Sequence, residues 1–276
     1  MMVTFASYLM ALFFLVLASI TDLKTKEVPY SISYSFILLS VIYRVILSIN
    51  SSSITPILHA LYGFLIFFTI GYLLYKVNLW GGADATLLFA MGILFGYESI
   101  NGFMPHFLIN LFIIGGVFGI LYCLYKGIKE NLKYTSPKYM SKIYLICSIF
   151  IVLSYFLIDD ISLKIPFFFL IILIPISILI VSYTKLVQDE LLIRKVSILK
   201  LTEGDWINED IKINGKIIVR KRDNGISLKQ LEKLNELYKK GRIRKVTIKE
   251  GMPFIPSFLI SLIITYYFGN ILLLLL

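Results

Sequence analysis

Residues 84–97 read Asp84-Ala85-Thr86-Leu87-Leu88-Phe89-Ala90-Met91-Gly92-Ile93-Leu94-Phe95-Gly96-Tyr97. This is a short apolar run, opened by an acid and closed early by Gly96 and Glu98. Whether it crosses a membrane decides the topology of everything around it. Seven other apolar runs lie at about 3–21, 30–48, 56–75, 104–125, 143–158, 163–184 and 254–276. Several of them hold the roughly 20 helical residues that a hydrocarbon core requires. Connections on the cytoplasmic side of a membrane collect Lys and Arg. Here the odd-numbered connections carry Lys24 and Lys26, then Lys76, then Lys126, Lys129, Lys133, Lys138 and Lys142, then a basic polar stretch. The even-numbered ones are uncharged from Asn50 to Thr55, acidic at Glu98, and acidic at Asp159 and Asp160 against a single Lys164. The alternation holds at every connection only if residues 84–97 cross. The expected fold is therefore a polytopic all-α membrane protein of about eight transmembrane helices with its N-terminus outside. A small α/β cytoplasmic domain precedes the last helix.

Composition agrees with that class. Of 276 residues, 58% are hydrophobic and 16% charged, where a soluble domain holds nearer a quarter charged residues. The first apolar run is followed by charged sequence and further runs, so a cleaved secretory signal is the weaker reading. Cys123 and Cys147 fall in apolar segments without CxxC spacing and read as small packing residues. No metal or cofactor is expected. The net charge is +10, without a glycine-rich phosphate loop or a basic platform interleaved with aromatics. Membrane lipids are the expected anionic partner and nucleic acid is not.

Three parts follow: a membrane domain over 1–184 with seven helices, a basic domain over 185–252, and a final transmembrane helix over 253–276. The basic domain holds 17 of the 27 basic and 10 of the 17 acidic residues, a local balance of +7. Its pattern is foldable. Val196 to Leu201 and Trp206 to Ile213 have strand content, and Asn214-Gly215 signals a tight turn into a return strand from Lys216 to Arg220. Ser227 and Gln230 form a capping-box pattern. The helix it opens, to about Tyr238, puts Leu228, Leu231, Leu234 and Leu237 on one face. Gly241 ends that helix, and Ile243 to Ile248 returns as a strand. One sheet of about four strands carrying one helix is expected.

Acidic residues at the membrane boundary are few. Asp22 lies where the first run reaches the cytoplasm, and Asp84 lies where the fourth leaves it, so the lysine-based topology puts both at one depth. Two carboxyl groups that approach each other suit water-mediated peptide hydrolysis. Like charges a few ångströms apart cannot both ionise, so the pair retains one proton. One member then draws a proton from water while the other donates to the scissile carbonyl. Gly81 and Gly82, just before Asp84, let backbone come close and let the chain turn sharply into the helix. The structural alternatives are an N-terminal cap for Asp84 and an interfacial ion pair with Lys24 or Lys26 for Asp22. Helix ends suggest a division of labour: Asp84 at a positive dipole end as base, Asp22 near a negative end as proton donor. Arg44, near the outer end of the second run, is expected to snorkel.

At these residues the sequence resembles the archaeal preflagellin (prearchaellin) and type IV prepilin peptidases, the GxGD membrane aspartyl proteases. The resemblance is carried by Asp22-x-Lys24-x-x-x-Val28-Pro29 and by Gly81-Gly82-Ala83-Asp84. A third element lies in Glu203-Gly204-Asp205-Trp206 and in Ile248 to Pro256 before the last helix. Ala83 replaces the second glycine of GxGD, and residues of about 100–190 match no named pattern. The resemblance implies that Asp22 and Asp84 are the catalytic pair of an aspartic endopeptidase in the cell membrane, multi-pass, with its site at the cytoplasmic face. It implies substrates that are prearchaellin or prepilin-like proteins with short basic leaders. Glu27, Glu203, Asp205, Glu209 and Asp210 are candidate counter-charges for such a leader. The zinc-binding cysteine loop of bacterial relatives is absent, so N-methylation is not implied. The rival readings are an intramembrane protease of the presenilin or signal-peptide-peptidase kind and a non-catalytic transporter or scaffold. The first expects deeper aspartates and a Pro-Ala-Leu element; the second expects midplane charges or broken helices in repeats.

Overall fold

A computed structural model describes residues 4–137, 139–157, 160–213, 216–221 and 225–275. Helices fall on all eight apolar runs: α1 Phe5–Thr25, α2 Tyr30–Asn50, α3 Thr55–Lys76, α4 Gly82–Phe95, α5 Phe103–Lys129, α6 Met140–Leu157, α7 Ile161–Leu191 and, after a small helix α8 at Leu228–Lys239, α9 Ile255–Phe268. Five of these, α1, α2, α3, α5 and α7, are long and apolar enough to cross a membrane, and α4, α6 and α9 are shorter apolar helices. The chain forms two compact units, one of Met1–Gly119 with Lys195–Leu276 and one of Ile120–Arg194.

In the first unit the core is centred on α4. Leu87, Leu88, Ala90 and Met91 are fully buried, and α4 lies chiefly against α3 and α2. Small residues make this close approach possible. A Cβ at Gly63 of α3 would sit 2.1 Å from the Gly92 carbonyl oxygen, and one at Gly92 would sit 2.8 Å from the Gly63 oxygen. Backbones that near tolerate only glycine. Helix α1 stacks on its neighbours through rings, Phe14 on Phe36 of α2 at 4.7 Å and Tyr8 on Tyr266 of α9 at 4.0 Å between centroids.

Arg44 departs from its expected place. It is buried, and its Nε donates to the carbonyls of Ile93 and Leu94, 3.1 and 2.9 Å away. The last turn of a helix leaves carbonyls without intrahelical partners and carries partial negative charge. An internal guanidinium answers both, so Arg44 caps α4 rather than reaching for the surface. The last apolar run also differs from the single helix expected. It breaks at Gly269, which adopts φ 71°, and resumes as α10, Ile271–Leu275. The buried Asn110 side chain of α5 satisfies the break, donating to the Gly269 carbonyl at 2.7 Å and accepting from the Ile271 N–H at 3.0 Å.

Toward the C-terminus lie β1 Ile193–Ser197, β2 Trp206–Ile207, β3 Ile211–Ile213, β4 Lys216–Val219 and β5 Lys245–Lys249. The single sheet expected is instead divided: β1-β5-β2 form one sheet and β3-β4 an antiparallel pair of their own. The Asn214-Gly215 turn and Asp159 lie outside the described residues. Ser227 and Gln230 cap α8 as expected, the Gln230 side chain accepting from the Ser227 N–H at 2.9 Å. Leu234 of α8 is fully buried with Ile198, Ile207, Val219 and Val246, while Leu228, expected on the same face, stays exposed.

In the second unit α6 packs on α7, which contains Pro166 and Pro175. Most of its large apolar side chains face outward. Cys123 and Cys147 are buried, in keeping with a packing role.

Candidate active site

Asp22 sits on the last turn of α1. That turn closes as the Lys26 N–H reaches the Asp22 carbonyl at 2.8 Å, and Lys26 then ends the helix in the left-handed region at φ 60°. The Asp22 side chain is buried, 6% exposed, and its Oδ2 accepts the N–H of Ile255 at 2.9 Å. Ile255 is the first residue of α9, so the carboxylate of one helix satisfies an open N–H of another. Lys26 forms an ion pair with Glu250 at 2.7 Å just before α9.

Asp84 is the third residue of α4 and is half-buried. Its Oδ2 accepts the Gly81 N–H at 2.8 Å, so Gly81 and not Asp84 is the N-cap, and Asp84 caps the helix from its third position. Gly81 is extended, with φ −75° and ψ 165°, and a Cβ there would lie 3.3 Å from Asp84 Oδ2. Gly82 is exposed, and a Cβ on it would meet only the Tyr75 ring, 3.9 Å away. The approach to Asp84 past Gly82 is thus left low. Trp80, immediately before these glycines, is buried against Phe254 and Phe258, with centroids 5.7 and 5.6 Å away.

Asp22 and Asp84 both lie in the first unit, on helices α1 and α4, which pack against each other. A separation of 62 residues in sequence is closed by α1 and α4 meeting within the same helical core. Each carboxyl group also accepts from the first turn of a helix or its cap, Asp22 from the Ile255 N–H and Asp84 from the Gly81 N–H. The dipole argument therefore no longer assigns acid and base. Asp22 has the positive end of α9 as well as the C-terminal turn of α1, and the asymmetry expected from the sequence is lost.

Of the other acidic candidates, four take part in local structure. Glu27 accepts from the Thr202 hydroxyl at 2.7 Å, Asp205 from the Thr202 N–H at 2.8 Å, and Asp210 from the Lys221 N–H at 2.8 Å. Glu209 bonds the Thr247 hydroxyl. Burial raises the Asp205 carboxyl above the ordinary carboxylate range, opposed by the Thr202 N–H and aided by the Glu27 charge. Glu203 is exposed. Among the described residues no group of three or more His, Cys, Asp or Glu is placed to hold a metal ion. Sequence reasoning missed Ile255, which contributes only a backbone N–H and leaves no mark in residue type.

The sequence model of the type IV leader peptidase family matches residues 9–124. Over this segment the chain is similar to the type IV leader peptidases. Both aspartates and both glycines fall inside the leader peptidase segment; α9 and Ile255 fall outside it. The chain is also similar to the preflagellin peptidase of Methanococcus voltae, at 28% identity over 141 residues, 46% of this chain and 60% of that protein. A preflagellin peptidase of Methanocaldococcus jannaschii is 30% identical over 80 residues, 29% of this chain and 34% of that protein. The chain spans less than two thirds of the length of either relative.

Proposed function

We propose that the protein is a membrane aspartyl endopeptidase that removes the short basic leader of prearchaellin or prepilin-like proteins. Asp22 and Asp84 are its catalytic pair, and Gly81 and Gly82 shape the approach to them. The observation that supports this reading is that two acids far apart in sequence lie on helices that pack together, α1 and α4, inside the segment matched by the leader peptidase model. The preflagellin peptidases named above supply the substrate class by analogy.

The chemistry needs only water and the pair. The ionised carboxylate takes a proton as the water oxygen bonds to the scissile carbonyl carbon. The protonated partner gives its proton to the carbonyl oxygen, and a neutral diol results. The C–N bond then breaks as the amine takes a proton from the pair, and the other carboxyl group recovers one from the collapsing diol. The backbone N–H on each carboxyl oxygen fixes one lone pair and so orients the oxygen left for the reaction.

The finer topology belongs to the same proposal. All eight apolar helices cross, including the short α4 and α9, with the N-terminus outside and the catalytic pair at the cytoplasmic face. Residues 1–184 form the membrane domain, 185–252 a basic cytoplasmic domain against anionic lipid, and 253–276 the final membrane segment. The test is cleavage of purified prearchaellin-like and prepilin-like substrates by the lipid-reconstituted enzyme, with the new N-terminus read by mass spectrometry. Cleavage after the basic leader that disappears in Asp22→Asn and in Asp84→Asn supports the proposal. Undiminished cleavage by either variant overturns it.

A further inference from the structure

The acids of the pair come from α1 and α4, but the groups that hold them converge on a third element. Ile255, the first residue of α9, gives its N–H to Asp22 Oδ2 at 2.9 Å, across 233 residues of sequence. The preceding residue, Phe254, lies edge-on to Phe258 and packs with it on Trp80. Trp80 is joined to Gly81, whose N–H holds Asp84 Oδ2 at 2.8 Å. One turn of α9 thus bonds the first aspartate directly and buttresses the loop that orients the second. Room has been made for it. A Cβ at Gly115 of α5 would lie 2.7 Å from the Phe254 ring, so a side chain there is incompatible with the ring's position. The Lys26–Glu250 ion pair ties the chain entering α9 to the end of α1.

We infer that the first turn of α9, Phe254 to Phe258, is a positioning element of the catalytic pair. Its Ile255 N–H sets the orientation of the Asp22 carboxylate, and its two rings set the Trp80–Gly81 loop that presents Asp84. The inference rests on the peptidase reading and extends it. The working site is not complete within the leader peptidase segment at 9–124, since its supports come from more than 120 residues further along the chain. A backbone donor held on a buried carboxylate acts on the alignment of the reacting oxygen, which appears in turnover rather than in substrate affinity.

The test removes one atom pair. In the full-length enzyme in lipid, Ile255 is replaced by its α-hydroxy acid counterpart, which exchanges the backbone N–H for an ester oxygen and keeps the side chain. The expected result is a fall in kcat of about tenfold, in line with the loss of one bond to a charged group, with KM changed by less than about twofold. A wild-type kcat in the ester enzyme overturns the inference. Trp80→Leu and Trp80→Phe give a second arm that does not depend on the ester protein folding. Leu lowers kcat and Phe restores most of it, whereas equal kcat in wild type and Trp80→Leu overturns the buttress. Asp22→Asn run in parallel separates the two levels. An inactive Asp22→Asn beside a fully active ester enzyme sinks the α9 inference alone, and an active Asp22→Asn sinks the peptidase reading itself.

Discussion

In α4, Leu87, Leu88 and Met91 are fully buried, while in α7 Phe169 and Ile172 keep 63% and 49% of their surface exposed. Both helices carry a long apolar stretch, and α7 is more than twice as long, 31 residues against 14. In water an apolar stretch as long as that of α7 would be buried. In a bilayer the rule fails, because lipid tails are as apolar as leucine and a helix gains little by hiding large side chains from them. What marks the interior of this protein is small or polar: Gly63 against Gly92, Arg44 on the end of α4, Asn110 at the break before α10, and Asp22 under α9. Buried polar groups in such a setting are expensive unless partnered. Each of these four has a structural job, and Asp22 is the one that the proposal also gives chemistry.

This contrast can be broken or sharpened by substitution. The largest effect belongs to the two acids, Asp22 and Asp84. Asp84→Asn keeps an oxygen for the Gly81 N–H, so the fold survives while cleavage falls by at least about a thousandfold; thermal unfolding measured beside activity checks both halves. Next come the glycines. Gly63→Leu forces a side chain into the Gly92 carbonyl and costs about 3 kcal/mol or more, since neither backbone can yield cheaply. A normal unfolding temperature in that variant would mean that α3 and α4 do not pack as described.

Arg44→Met follows, losing about 2 kcal/mol through the unanswered carbonyls of Ile93 and Leu94. A neutral outcome in a thermal-shift measurement would return Arg44 to the snorkelling role expected from sequence. The smallest effect is on the other side of the comparison: Phe169→Leu in α7 changes stability by less than about 0.5 kcal/mol, as for an exposed position away from special features. A loss of several kcal/mol there would indicate a protein partner on that face rather than lipid.

The eight helices were readable because each apolar run is bounded by charge, proline or glycine, and those signals are local. The same holds for the Ser227–Gln230 cap. The aspartates stood out because acids at a membrane boundary are rare, and the lysine pattern put them on one side without reference to them. Other features depend on who meets whom. Arg44 read as a surface group because nothing near it in sequence announces the carbonyls of α4. The split of the last helix needs Asn110, more than 150 residues earlier. The division into two small sheets is a choice of partners among strands of two to five residues, too short for their own pattern to fix pairing. The Ile255 N–H has no side-chain signature at all.

The central claim is that Asp22 and Asp84 act as one unit on one scissile bond. It is tested most directly by the cleavage rate of the Asp22→Asn/Asp84→Asn double variant measured beside both single variants. Groups that work as a unit are grossly non-additive. The account predicts that each single variant loses nearly all activity and that the double variant is no slower than the slower single. Losses that multiply in the double variant, or a wild-type rate in either single one, would contradict it.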